Sequence, residues 1–157
     1  MTRTANFAAG CFWGVEDRFR KTPGVLDAVS GYMGGHVENP AYREVCAGDT
    51  GHTETVQVTF DEGKISYEEL LDLFFSMHNP TTLNRQGPDF GSQYRSAVFA
   101  VDDAQLEAAK KKIVELDASG KWGDPVVTEV KLGGTFWPAE EYHQRYFEKN
   151  GAGFCKV

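Results

Sequence analysis

The sequence predicts an α+β fold, a two-layer sandwich around a β-α-β-β-α-β plait with long functional loops and a flexible C-terminal tail. Three observations predict it. Segments with strand and helix patterns interleave along the chain, yet no helix pattern separates the second and third strand candidates, which disfavours a doubly wound parallel sheet. Residues Thr53 to Phe60 alternate strictly, the signature of a strand with one buried face. A length of 157 residues suits one hydrophobic core, so residues 1–157 are expected to form a single domain, with about 148–157 as a mobile tail.

The elements follow in order. Thr4 to Gly10 reads as a strand running into Gly10, and Phe12 to Lys21 as a helix, which puts Cys11 at a helix start. Val25 to Tyr32 is the second strand. Met33 to His52, rich in Gly, Asn, Pro and Asp, is long and lacks periodicity, which marks a functional loop. After the strand Thr53 to Phe60, Ser66 and Glu69 form a capping-box pattern ahead of a helical stripe of Tyr67, Leu70, Leu71, Phe74 and Phe75. His78 to Gly91 is a second polar loop, and Tyr94 to Val101 a strand. Asp102 and Gln105 suit the start of a helix reaching about Ser119, where Gly120 ends it. Val126 to Lys131 is the last strand. A short amphipathic segment near Ala139 to Phe147 precedes the glycine-containing tail.

Composition narrows the function classes. A net charge of −7 with scattered Lys and Arg argues against a nucleic-acid partner, whose phosphates need clustered cations. The start Met1-Thr2-Arg3-Thr4-Ala5-Asn6 carries no apolar run and nowhere do eighteen apolar residues occur in succession, so a soluble cytoplasmic protein without membrane attachment is expected. Three cysteines, Cys11, Cys46 and Cys155, are too few for a secreted disulfide framework, and no Cys-x-x-Cys pair or histidine spacing suggests a metal.

The chemistry begins at Cys11. A thiol where a strand turns into a helix meets unpaired backbone N–H groups and the positive end of the helix dipole, both of which favour the reactive thiolate. A small buried hydrophobe suits the same position equally. Phe12 and Trp13 follow, and two rings beside a nucleophile are suited to wall a site for a soft group such as a methyl thioether or sulfoxide, although rings also pack in cores.

Glu54 shares the strand face of Val56, Val58 and Phe60. A carboxyl desolvated there keeps its proton toward neutrality and is suited to act as a general acid. The other reading is an edge position, where Glu54 reaches solvent or pairs with Arg43 or Arg95. Tyr42 and Tyr94, near loop-to-strand positions, carry hydroxyls able to donate to an oxygen acquiring charge. Asp89 and His143 are candidates for binding polar groups of a substrate. Cys155, two residues from the end of a glycine-flanked tail, is placed to travel and is a candidate resolving cysteine. Cys46 is read as a small buried residue.

The segment Gly10-Cys11-Phe12-Trp13-Gly14 resembles the signature of the A-type peptide methionine sulfoxide reductases. Further segments resemble that family in the same order: Gly31-Tyr32, Tyr42-Arg43-Glu44-Val45-Cys46, Gly48-Asp49-Thr50-Gly51-His52, Pro80 to Gly87, Gln93-Tyr94-Arg95-Ser96 and Ala139-Glu140-Glu141-Tyr142-His143-Gln144. The resemblance covers nearly the whole chain. It implies a ferredoxin-like plait and reduction of the S epimer of methionine sulfoxide, free or in proteins, with no cofactor. It also implies the roles: Cys11 as nucleophile, Phe12 and Trp13 as walls for the substrate methyl group, Glu54 as acid, Tyr42 and Tyr94 as donors on the oxygen side, and Asp89 and His143 lining the site. A Cys11–Cys155 disulfide reduced by thioredoxin or a similar donor is implied in the same way.

The sequence departs from the family pattern at Phe90, where a basic residue is expected, at Asn79, Met33 and Trp137, all of which bear on substrate preference. Two other readings stay open. A thiol peroxidase would use the same cysteines, and a non-catalytic module would hold methyl-bearing side chains in an aromatic pocket without cysteine oxidation.

Overall fold

The structure is a computed structural model that describes residues 2–48, 50–146 and 149. The strands are β1 (Thr2–Ala9), β2 (Val25–Met33), β3 (Thr53–Asp61), β4 (Arg85–Gln86), β5 (Asp89–Phe90), β6 (Ser96–Ala100), β7 (Glu129–Leu132) and β8 (Trp137–Pro138). The helices are α1 (Phe12–Arg20), α2 (Tyr42–Ala47), α3 (Tyr67–Ser76) and α4 (Asp103–Ser119). Single 3₁₀ turns occupy Ser92–Tyr94 and Glu141–His143.

Six strands form one sheet in the order β7-β6-β1-β3-β2-β8, with β6 and β7 parallel and the other neighbours antiparallel. The α+β class is as expected, with helices packed on a central mixed sheet. The pleat sorts β1 and β3 between two clusters. Phe7 and Ala9 join Val56, Val58 and Phe60 under the helices, while Ala8 faces the opposite side with Met33, Ala97 and Phe99. On the helix side Phe7 is the hub. Its ring lies 5.1 Å from Phe19 of α1 and 5.3 Å from Phe74 of α3, and truncating such a ring to Ala typically costs about 3–5 kcal/mol.

The helix ends follow the local chemistry of the sequence. Ser66 accepts the Glu69 N–H at 3.1 Å and Glu69 returns a bond to the Ser66 N–H at 3.3 Å, closing the capping box of α3. Asp102 accepts the Gln105 N–H at 2.9 Å to start α4, and Gly120 ends it with φ 70, in the left-handed region that suits glycine.

Three expectations need correction. The segment between the second and third strands is not helix-free, because Tyr42–Ala47 form α2; six residues are too short for a periodic pattern to show. Tyr42 accordingly opens a helix rather than lying near a strand. Tyr94 closes a 3₁₀ turn, and β6 begins only at Ser96. The loop from His78 to Gly91 contains the small β4-β5 hairpin. The tail expected over 148–157 lies outside the described residues except for Lys149.

Candidate active site

The strand β1 delivers the chain to Gly10, whose φ of 96 is strained for any residue with a side chain, and the turn places Cys11 at the N-cap of α1. Cys11 is 8% exposed. Its side chain makes no capping hydrogen bond and α1 has no acidic residue in its first turn, so the helix lacks the usual local acceptors. Glu54 supplies one from β3: the Phe12 N–H donates to its Oε1 at 3.1 Å. The carboxyl that looks misplaced on an apolar strand face thus completes the helix that begins beside Cys11.

Glu54 is buried and pairs across the sheet with Tyr32. Burial pushes its pKa up to about 8; the Phe12 N–H opposes the shift and the nearby negative charge of Asp89 adds to it. Its Oε2 is buried with no hydrogen-bond partner among the described residues. Arg95, one of the cations considered for it, instead lies 3.5 Å from Glu129. Glu54 is therefore a protonated acid with one oxygen uncommitted.

Tyr42 and Tyr94 converge on the same place. Burial, then the charge of Glu54, push the pKa of both phenols above the usual tyrosine value, so both keep their protons. Both hydroxyls interact with the sulfur of Cys46. Burial raises the Cys46 thiol, and the two phenols partly oppose that shift by donating to sulfur. Sulfur is a weak acceptor, so the hydroxyls are readily drawn to a stronger one. Cys46 is a free, partly exposed thiol within the site rather than a buried filler, which its sequence neighbours did not signal.

An aromatic group surrounds His143. Tyr42, Phe12 and Trp13 have ring centroids 4.3, 5.2 and 5.7 Å from the imidazole. The Trp13 indole N–H donates to His143 Nδ1 at 2.9 Å. With Nδ1 as acceptor and burial lowering the pKa, the ring is neutral and carries its proton on Nε2. That nitrogen is buried without a partner among the described residues.

Two carboxylates that sequence reasoning missed hold this group in place. Glu140 accepts the Tyr32 hydroxyl at 2.8 Å and the Tyr42 N–H at 3.0 Å, joining α2 to β2. Burial alone would raise its pKa, but these bonds hold it below the usual carboxylate range. Glu16 is buried and accepts the Ser30 hydroxyl at 2.9 Å. Its place on the buried stripe of Phe12, Val15 and Phe19 was a visible signal; the partners of Glu140, about a hundred residues away, were not.

The structure thus brings together Cys11, Phe12, Trp13, Tyr42, Glu54, Tyr94 and His143, with Asp89 near enough to influence Glu54 and Tyr94 electrostatically. Cys155 lies outside the described residues. No group of three or more His, Cys, Asp or Glu side chains able to hold a metal ion occurs among the described residues, and none of their helices is long and apolar enough to cross a membrane.

The sequence profile described as "Peptide methionine sulfoxide reductase" matches residues 3–157, virtually the whole chain and all of this site. The chain belongs to that family. Among curated relatives, the "Peptide methionine sulfoxide reductase MsrA" of Methanoculleus marisnigri is 57% identical over 153 residues, covering 98% of this chain and 93% of its own length. Among solved structures, reduced Mxr1 from Saccharomyces cerevisiae superposes with a TM-score of 0.91 at 39% identity, covering 99% of this chain and 89% of that one. Mxr1 in complex with Trx2 gives 0.65 at 29% identity, covering 92% and 84%. Each of these likenesses covers more than nine-tenths of this chain.

Proposed function

We propose that this chain reduces the S epimer of methionine sulfoxide, free or in proteins, to methionine, with thioredoxin as the final reductant. The observation that carries the reading is the protonated Glu54, held by the Phe12 N–H next to Cys11 with its second oxygen uncommitted. In the first step the Cys11 thiolate attacks the sulfoxide sulfur while Glu54 gives its proton to the departing oxygen, aided by the Tyr42 and Tyr94 hydroxyls. The attack makes a sulfur–sulfur bond; the protonated oxygen then passes from the substrate sulfur to the Cys11 sulfur as that bond breaks, so methionine leaves reduced by two electrons and Cys11 becomes a sulfenic acid. The Cys155 thiol then attacks that sulfur, water leaves, and a Cys11–Cys155 disulfide forms. A thioredoxin dithiol reduces it, and the cycle needs no metal or organic cofactor.

Phe12 and Trp13 wall the methyl side, and Asp89 and the Nε2–H of neutral His143 face polar groups of the substrate. The thioredoxin step is supported by the Mxr1 complex with Trx2. The test is turnover of resolved sulfoxide epimers with thioredoxin supplied. The S epimer is consumed, the Cys11→Ser protein is inactive, and Cys155→Ser yields a single equivalent of methionine; equal turnover of the R epimer, or activity retained by Cys11→Ser, would overturn the reading. The thiol peroxidase reading predicts instead that reduced protein loses its thiols faster with hydrogen peroxide than with a methyl sulfoxide.

A further inference from the structure

Gln93 stands where the three elements that carry Tyr42, Glu54 and Tyr94 meet. It lies in the 3₁₀ turn Ser92–Tyr94, one residue before Tyr94, and is buried. Its side-chain amide reaches across to α2, where Nε2 donates to the Cys46 carbonyl at 3.3 Å. The last four carbonyls of an α-helix have no partner within the helix, and Gln93 satisfies one of them at the end of α2 opposite Tyr42. Tyr42 and Cys46 are four residues apart and so share one face of that helix. On its other side the Gln93 carbonyl accepts the Thr53 hydroxyl at 2.8 Å, and Thr53 opens β3 immediately before Glu54. Gly91 leaves room for the amide, since a Cβ there would lie 2.3 Å from Gln93 Oε1. One residue thus joins the turn of Tyr94 to the helix of Tyr42 and the strand of Glu54.

We propose that Gln93 is a positioning residue for the reduction: its bond to the Cys46 carbonyl sets the separation of the Tyr42 and Tyr94 hydroxyls, so that both reach the sulfoxide oxygen as it gains charge. This role rests on the methionine sulfoxide reading above. The turn and α2 both lie outside the two sheets, so side-chain bonds such as this one set their spacing. Two donors aimed at one oxygen stabilise charge there only within hydrogen-bond range. A shift of either therefore matters most in the step in which Cys11 attacks and the oxygen takes up its proton, and less in the binding that precedes it. Gln93 acts through the two phenols, and its effect disappears when they are absent.

The experiment measures a single turnover of chemically reduced protein against methyl sulfoxide concentration for wild type, Gln93→Met and Gln93→Ala, and for the same two changes made in the Tyr42→Phe/Tyr94→Phe protein. Methionine keeps the length and bulk of the side chain without the donor, and serves if the Ala protein does not fold. In the wild-type background the limiting rate falls roughly five- to a hundredfold, from the worth of one hydrogen bond to the cost of a misplacement of about 1 Å, while the half-saturating concentration changes little. With both hydroxyls already removed, the same changes slow the protein by less than about twofold. A limiting rate unchanged in Gln93→Met overturns the role and leaves the functional reading intact, as does a loss confined to the half-saturating concentration. An equal loss of rate in both backgrounds also overturns it, because a general loosening of the fold acts without regard to the phenols. Failure of the wild-type protein to reduce any methyl sulfoxide overturns the functional reading, and this role with it.

Discussion

Glu54 caps the helix that follows Cys11: its Oε1 receives the Phe12 N–H at 3.1 Å while its Oε2 stays buried without a partner among the described residues. One side chain from the middle of the sheet thereby serves both the start of α1 and the chemistry beside it. The bond fixes the carboxyl, and burial keeps it protonated.

The pH dependence follows from that protonation. Burial raises the Glu54 pKa from 4.5 to about 8, so the acid form is present below that value and lost as pH rises through it. The first-turnover rate is expected to fall on the alkaline side near pH 8, and Glu54→Gln to lower it by roughly 10²- to 10⁴-fold while abolishing that limb. The same shift acts on folding. The contribution of the raised pKa is fully present below about 4.5 and is lost as pH rises through about 8. Rapid-mixing assays across pH, using wild type and Glu54→Gln, check both signs; an alkaline limb that survives in Glu54→Gln belongs to another group.

Tyr42 and Tyr94 both donate toward the same oxygen, so the losses of the two hydroxyls are expected at least to multiply. Either Tyr→Phe change leaves the other phenol and Glu54 in place and costs about tenfold in the chemical step, whereas the double variant loses about 10²-fold or more. Single-turnover kinetics of the three proteins measure this. A double variant no slower than its singles would mean that only one hydroxyl reaches the substrate oxygen.

His78 provides an acid-sensitive point away from the chemistry. Its Nδ1 bonds the Phe74 carbonyl at 2.7 Å and its Nε2 lies 2.7 Å from the Ser96 hydroxyl, which in turn meets Thr128. Burial lowers its pKa from 6.5 to about 4, with the Phe74 carbonyl opposing. The unfolded chain therefore binds the extra proton first, and stability present above pH 6.5 is lost as pH falls toward 4, by up to roughly 3 kcal/mol. Denaturation across this window is expected to show the slope in wild type and a flatter one in His78→Gln.

Gly31 tests the pairing of β8 with β2. A Cβ there would overlap the Phe136 ring and lie 2.5 Å from the Trp137 carbonyl oxygen, at the point where β8 pairs with β2. Gly31→Ala is expected to cost about 1–3 kcal/mol by forcing these strands apart, and to raise the half-saturating sulfoxide concentration because β8 leads into the segment that carries His143. Thermal melts and single-turnover titrations report the two effects separately.

Much of this molecule was legible in its sequence, and the reasons differ between elements. The capping pattern of Ser66 and Glu69 and the alternation that sets Glu54 among Val56, Val58 and Phe60 depend on residues close in the chain, so spacing alone reveals them. The helix α2 has six residues and the strands β4 and β5 two each, too few to leave a periodic trace. The Glu54 carboxyl could be placed on a buried face, but not at the start of α1, because 42 residues separate it from Phe12. Cys46 and Glu140 were missed for the same reason: each acquires its surroundings only when distant segments meet over the sheet.

The uncommitted Oε2 of Glu54 also bears on folding. The carboxyl that keeps its proton carries it on this oxygen, because Oε1 accepts the Phe12 N–H, and a buried donor with no partner among the described residues costs about 1–3 kcal/mol. A sulfoxide oxygen that accepts from it offsets this cost, so substrate binding and resistance to unfolding are coupled through one atom.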